Sequence, residues 1–587
     1  MSAHTASPES RSAAAPGDTR SALRPAAEVM DLPRLGSLYP FRLSFMRVLV
    51  RRIMSEKWRI ERTLFELNSE GYGTAIYEIG TPNGIYSFVA FAHYVEPERR
   101  SDRVIADRWD MTATLCEGRV DDEHLTMLRE NVPLQEAGRI DARSIVLSRA
   151  NKSVRNFEYV VNELASGRQP SYENLAKVGY LYRTTAVYGS GKFGMADWRK
   201  VRSRHKDFGR PFAAEMFMCY MIRQFSLEQV DHLAQRRAPG SAVAMQDSIK
   251  RYFGIGNATG LGMAPFLVHH PLLIARWVEI RETALARVVE HGTVNPDYVA
   301  TLTVLVSKAM QHLREIATDN VEQHALNVTT IEQLGGVLSW IESNQDISSW
   351  QYFVDHAAQH WGLETQELLH SLLMELYPEL TDDLEDQMCV DEQYSLVPDE
   401  LLSKLQDDIE THYGWALAID FSSVASQGSF WYRSREKLEP RLGQSNVDAG
   451  EDKAMRLDVA RSVRLCYDLI ASHIAEHGDC RVAQFALRQP AMRSILRRIQ
   501  TMSRTMYGDI HANLMDIDVF PIHLLRCKLS FFGVSKFDPR SRMWVRNTMF
   551  QGAPIAADIG DEFADDWCFP VMPGRNERET RYSGSAD

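Results

Sequence analysis

No stretch of this 587-residue sequence is apolar for long enough to form a transmembrane helix. Such a helix needs about 20 consecutive apolar residues. The most hydrophobic run, "GMAPFLVHHPLLIARW" at 262–277, is shorter and carries the adjacent pair His269 and His270. Cysteine is scarce and scattered, with seven residues at 116, 219, 389, 466, 480, 527 and 568 and no C-x-x-C pair. That set argues against a disulfide scaffold and predicts reduced thiols. No cysteine stands near enough to a histidine along the chain to predict a structural zinc site. The G-x-S-x-G elbow, the H-E-x-x-H helix and the kinase signature set are all missing, which argues against the standard chemistries they serve. Basic residues are outnumbered, 66 against 78 acidic, for a net charge of -12. A surface built as a whole for nucleic acid or anionic membrane is therefore not expected. The first 35 residues lack the roughly 7–15-residue apolar run of a signal peptide. They also hold Glu9, Asp18 and Glu28, which a transit peptide avoids. They are expected to be a disordered tail on a cytoplasmic protein.

What is present is ordinary globular composition, 44% apolar and 25% charged, in a chain too long for one core of about 250–300 residues. Residues 40–68 show apolar spacing of three and four and predict a helix or helix pair. The segment "GYGTAIYEIGTPNGIYSFVAFAHYV" (71–95) predicts two strands around a Thr81-Pro82-Asn83-Gly84 hairpin turn, and 103–118 a third strand. From about 121 to 400 the pattern is helical, with the Met-rich "EMFMCYMIRQF" (215–225) as buried core. Two similarities suggest a duplication. Residues 72–91 are echoed at 413–432, and 153–167 at 462–478, each second segment being followed by a Tyr-Gly at Tyr188 or Tyr507. The predicted fold is mainly α (α+β): a helical protein with small antiparallel β elements, in two duplicated halves with a long helical insertion. The boundaries are a tail to 35, an N-terminal half over 36–398 with its insertion at 199–398, a C-terminal half over 399–572 repeating 60–198, and a polar tail over 573–587.

Four segments carry candidate chemistry. "YGSGKFG" (188–194) lacks the first glycine and the Ser/Thr of a phosphate-binding P-loop. Tyr188-x-x-x-Lys192 has the spacing of the catalytic pair of short-chain dehydrogenases, but its Gly-Ser-Gly interior is a poor helix and the nucleotide-binding glycines are missing. What survives is a glycine-rich loop offering Ser190 and Lys192 to a ligand. "YFGIGNATGLGMAPFLVHHP" (252–271) has glycines without the strand and helix that a dinucleotide fingerprint requires. It predicts instead a flexible loop with Asn257, Thr259, His269 and His270 leading into a helix N-terminus. "GSFWYRSREKLEPRLG" (428–443) sets Arg433 and Arg435 on one face of a strand, a grip for a carboxylate or phosphate. "YGDIHANLMDID" (507–518) puts His511 where the first copy has Lys192, and matches no justifiable metal-ligand spacing.

These readings predict an enzyme of small-molecule metabolism working by acid–base chemistry on an anionic substrate. Tyr188, Lys192 and His511 are its catalytic candidates, and Ser190, Asn257, Thr259, His269, His270, Arg433 and Arg435 would bind the anion. No cofactor is assigned, no metal, nucleic acid or membrane is expected, and a homo-oligomer is compatible with the chain. The rival reading is a non-catalytic helical assembly or regulatory protein whose glycine loops are only turns.

Overall fold

A computed structural model describes residues 23–96, 109–134, 141–184, 198–260, 270–292, 294–316, 318–344, 347–388, 394–422, 459–510, 526–527, 529–541, 544–563 and 565–573. The helix predicted over 40–68 is confined to α1 (Phe45–Ser55). Lys57 turns the chain with a φ of 51°, and 59–67 leaves as a strand. Pairing with the next strand overrides the local helical spacing.

That strand opens a single mixed sheet of nine in the order β1-β2-β3-β4-β5-β6-β7-β9-β8. Its members are β1 (Arg59–Leu67), β2 (Gly73–Gly80), β3 (Ile85–Ala92), β4 (Met111–Glu117), β5 (Ser144–Lys152), β6 (Tyr180–Thr184), β7 (Gly254–Gly260), β8 (Lys536–Ser541) and β9 (Trp544–Met549). Small antiparallel elements were expected, so this is a correction. The first six strands form an antiparallel meander, β7 joins β6 in parallel, and β9 pairs antiparallel with β7. The β2–β3 turn lies where the sequence predicts it. Thr81 Oγ1 and Asn83 Nδ2 donate to the buried Asp207 at 2.8 and 2.7 Å, fixing the hairpin to a distant loop.

Helices cover both faces of the meander. On one side lies α2 (Asp122–Asn131), over Ile76, Val89, Phe91 and Leu147. On the other, α3 (Phe157–Ala165) packs beside α4 (Ala213–Arg237), which crosses β3 to β7. The Met-rich run falls in α4 and is buried as predicted. Arg223 lies among it and donates to the carbonyls of Lys250, Arg251, Phe253, Ala553 and Pro554. A second cluster is built from α5 (Pro271–Val289), α6 (Pro296–Glu315), α7 (Val321–Ser343), α8 (Trp350–His360) and α9 (Leu363–Glu375). A third group comprises α10 (Leu402–Leu417), α11 (Val459–His477) and α12 (Arg493–Met502).

Residues 26–35, assigned by sequence to the tail, fall in two short helices, Ala26–Val29 and Leu32–Ser37, that bury Val29, Leu32 and Leu35. Among the described residues of its first segment, 413–422, the proposed duplication finds no counterpart. Residues 73–92 are strands, whereas Tyr413–Leu417 end α10, whose buried positions Leu402, Leu405, Ile409, Tyr413 and Ala416 keep helical spacing. The basic residues of α12 are paired within the fold: Arg498 binds Asp509 at 2.6 and 2.8 Å, and Arg497 donates to the Tyr394 carbonyl.

Candidate functional site

The loop predicted at 252–271 is, over its first part, the strand β7. Its glycines are there for packing. A Cβ on Gly254 would sit 2.2 Å from the Met549 carbonyl oxygen, and one on Gly256 would sit 2.7 Å from the Tyr180 ring. Only glycine lets β9 and Tyr180 come this close. Asn257 is thus placed in the sheet, opposite Asn547 of β9, which is opposite Phe537 of β8. Directly paired residues of antiparallel strands point to the same face, so these three form one row.

Both asparagines are nearly sealed from solvent. The Asn257 Oδ1 and both polar atoms of the Asn547 side chain have no hydrogen-bond partner among the described residues. A buried amide left unsatisfied costs about 1–3 kcal/mol, which a purely structural position would rarely retain. At the far end of the row the Arg526 guanidinium lies over Phe537, 5.0 Å from its ring centre, and donates to Glu364 of α9 at 2.6 Å.

The opposite face of the same strands carries the row Gly256, Thr548 and Lys536. The partly buried Lys536 Nζ is 3.5 Å from both the Tyr252 hydroxyl and the Ala176 carbonyl. Burial pulls its pKa down to about 8, with Glu315 opposing the shift. Nearby, His312 is held between the Pro570 and Ser535 carbonyls, and burial lowers its pKa to about 4. An amine that can lose its proton near neutral pH, beside a phenol, is a group able to move protons or meet an anion.

The chain matches no protein-family model, no curated protein and no solved structure.

Among the residues predicted from sequence, Asn257 belongs to the row just described. Thr259 lies two positions farther along β7. His270 is half-buried at the N-cap of α5, edge-on to Phe212 at 6.0 Å. Tyr188, Ser190, Lys192, His269, Arg433, Arg435 and His511 lie outside the described residues. Tyr507, matched by sequence to Tyr188, is buried and donates to the Arg24 carbonyl at 3.1 Å. The chain positions of two predicted segments can still be compared. β6 ends at Thr184 and runs straight into 185–197, while β7 ends at Gly260 and runs straight into 261–269. Because Arg183 pairs with Gly256 in parallel register, both segments leave from one end of the sheet. Their starting points are separated by three residues' rise, about 10 Å, plus one strand spacing.

Two other polar regions differ in character. A cleft of about 220 Å³ is lined by Asp558, Asp561, Glu562 and Asp566 with Arg251, and its charge is opposite to what an anion needs. The helix α9 buries Glu364, Glu367 and His370 along one side, with the partly buried Glu375 near its end. The i, i+3 spacing of the first three would suit a metal, but guanidinium groups hold the carboxylates: Arg526 on Glu364, Arg24, Arg34 and Arg281 on Glu367, and Arg47 on Glu375. This is an internal ion network.

Sequence reasoning missed Asn547 and Lys536, which belong to no motif. It also missed a thiol–imidazole contact: Cys480 Sγ lies 3.4 Å from His473 Nε2. The expectation that no cysteine stands near enough to a histidine along the chain does not hold here, because Cys480 follows His477 by three residues and the chain reverses between them at Gly478 (φ 77°). The signal was present as His473-x3-His477-x2-Cys480.

Proposed function

We propose that the protein is a cytoplasmic enzyme of small-molecule metabolism that uses acid–base chemistry on a carboxylate- or phosphate-bearing substrate. In this reading the substrate binds beyond the carboxyl ends of β6 and β7, the position that open sheets with parallel strands favour for ligands. The observation that carries it is the unsatisfied, buried Asn257–Asn547 pair beside the point where two glycine-rich segments leave neighbouring parallel strands. The amides supply hydrogen bonds to the substrate. Ser190, Thr259, His269, His270, Arg433 and Arg435 contribute to anion binding, and Tyr188, Lys192 and His511 move protons. The cytoplasmic assignment is supported by the six described cysteines, all free thiols.

A thermal-shift screen of the full chain against carboxylate and phosphate metabolites tests the reading. Expected is a compound that raises the melting temperature of the wild type but not of Asn547→Ala or Lys192→Met. If no such anion stabilises the protein, or if the effective ones ignore both substitutions, the assembly or regulatory reading replaces it.

A further inference from the structure

Cys480 is the one described cysteine whose side chain is not buried, and it stands beside a pair of histidines on one helical face. His473 and His477 are separated by four residues near the end of α11, with ring centres 4.8 Å apart and planes within 10°. We propose that His473, His477 and Cys480 form a binding site for a thiophilic divalent metal ion of the zinc class, with three protein donors and a fourth position open to solvent.

Three observations support it. The first is donor separation. A tetrahedral zinc bound by sulfur at about 2.3 Å and nitrogen at about 2.0 Å sets those two atoms about 3.5 Å apart. Sγ and Nε2 of His473 are already 3.4 Å apart. The second is preorganisation of the backbone. Gly478 N–H bonds the Ile474 carbonyl at 2.9 Å and turns the chain back. The Asp479 carboxylate then accepts from Ser403 N and Oγ at 3.1 and 2.6 Å, and Leu402 N donates to the Cys480 carbonyl at 2.9 Å. Cys480 is thereby anchored to the start of α10 while His473 is fixed on α11. The third is the freedom of the last donor. The His477 side chain is 49% exposed, so it can rotate at the cost of its stacking on His473.

In the metal-free chain the donors do not enclose an ion, because the two rings stack instead of converging. Turning the His477 ring toward Sγ completes the site. Binding replaces the thiol proton by the metal, forming one metal–sulfur bond and releasing one proton. The charged groups around the donors include Glu476, 3.8 Å from His477, Arg488, near His473, and Asp479 and Arg481, which flank Cys480 along the chain. They offset one another. The fold holds a natural control in His356 and His360 of α8, which have the same spacing and a ring separation of 3.9 Å but face Trp340 and Trp361 in place of a thiol.

The test is titration of the full-length, phosphine-reduced chain with cobalt(II) alone, followed by displacement with zinc. Expected is one equivalent giving a sulfur-to-cobalt charge-transfer band, absent in Cys480→Ser. Affinity should fall 10- to 100-fold in His473→Gln and His477→Gln and stay unchanged in His356→Gln/His360→Gln. As a measurement that needs no variant, zinc should slow iodoacetamide labelling of the Cys480 peptide in the wild type at least tenfold. Absence of the charge-transfer band, its persistence in Cys480→Ser, or unprotected labelling of Cys480 would each overturn the site.

Discussion

Removal of Glu367 is a severe test of the buried ion network. Its carboxylate, fully sealed, accepts from Arg24 at 2.6 Å, Arg34 at 2.6 Å and Arg281 at 2.8 Å. Glu282 accepts from Arg24 and Arg281. Glu367→Ala therefore leaves three guanidinium groups, one wholly buried, around a single buried carboxylate. Breaking a buried pair by removing one partner costs about 3–5 kcal/mol, because the remaining charge stays desolvated. A loss of that size should appear as a lower urea midpoint at pH 7. Removing both members of the innermost leg, in Arg281→Met/Glu367→Leu, should recover part of the loss, since it takes away the wholly buried guanidinium and leaves only the partly exposed Arg24 and Arg34 beside Glu282. The pH dependence has a definite sign. Burial alone would raise the Glu367 pKa, but Arg24, Arg281 and His370 hold it well below the usual carboxylate range. Its stabilisation is thus present above the unfolded-state pKa of about 4.3 and is lost as pH falls through the lower folded value. The gap between wild type and Glu367→Gln should be constant from about pH 6 to 8 and close in acid below about pH 4. A midpoint shift worth less than about 1 kcal/mol, or a gap that widens in acid, would refute the reasoning.

Two further outcomes follow from the sheet. Gly254→Ala should destabilise more than Gly256→Ala, because the first clashes with the Met549 backbone and the second with a ring that can swing away; overpacking of this kind costs about 1–3 kcal/mol. Adding Tyr180→Ala should relieve Gly256→Ala and not Gly254→Ala, read from urea midpoints, and equal relief of both would contradict the packing account. Lys536→Met should raise the melting temperature at pH 7. The folded pKa of about 8 lies below the usual lysine value, so the unfolded chain binds more protons between about pH 8 and 10.5 and wild-type stability climbs there. The advantage of the variant should fade across that window, and a gain that grows with pH would show that the amine is not being held out of water.

Legibility in the sequence followed local signal strength. Strands β2 to β4 announce themselves by runs such as Ile85-Tyr86-Ser87-Phe88-Val89 and by a turn whose residues dictate its geometry. The core helix α4 shows in its unbroken apolar stretch. β7, "GIGNATG", contains a single strong strand former and exists because Tyr180, Met549 and their neighbours leave room for nothing else. β8 contains Pro539, which ordinarily argues against a strand but is tolerated at the outer edge that β8 occupies. The echo of 72–91 at 413–432 rests on shared residue types read without their period: over its described part, 413–422, the chain finishes the helix α10 and forms no strand. Asn257 was legible as a candidate through its glycine neighbours, but its partner Asn547 was not, because a contact across about 290 residues leaves no trace in either segment alone.

The seating of β9 against β7 has a consequence for biogenesis. When β7 leaves the ribosome its outer edge is bare, and the strand that covers it is encoded about 280 residues later. At roughly 5–20 residues per second, translation takes tens of seconds to supply that cover. Throughout this interval the nascent chain offers unpaired backbone amides to any other extended segment nearby. Expression yield should therefore respond to holdase chaperones and to translation speed over 261–543 more than to the rate at which the early meander folds.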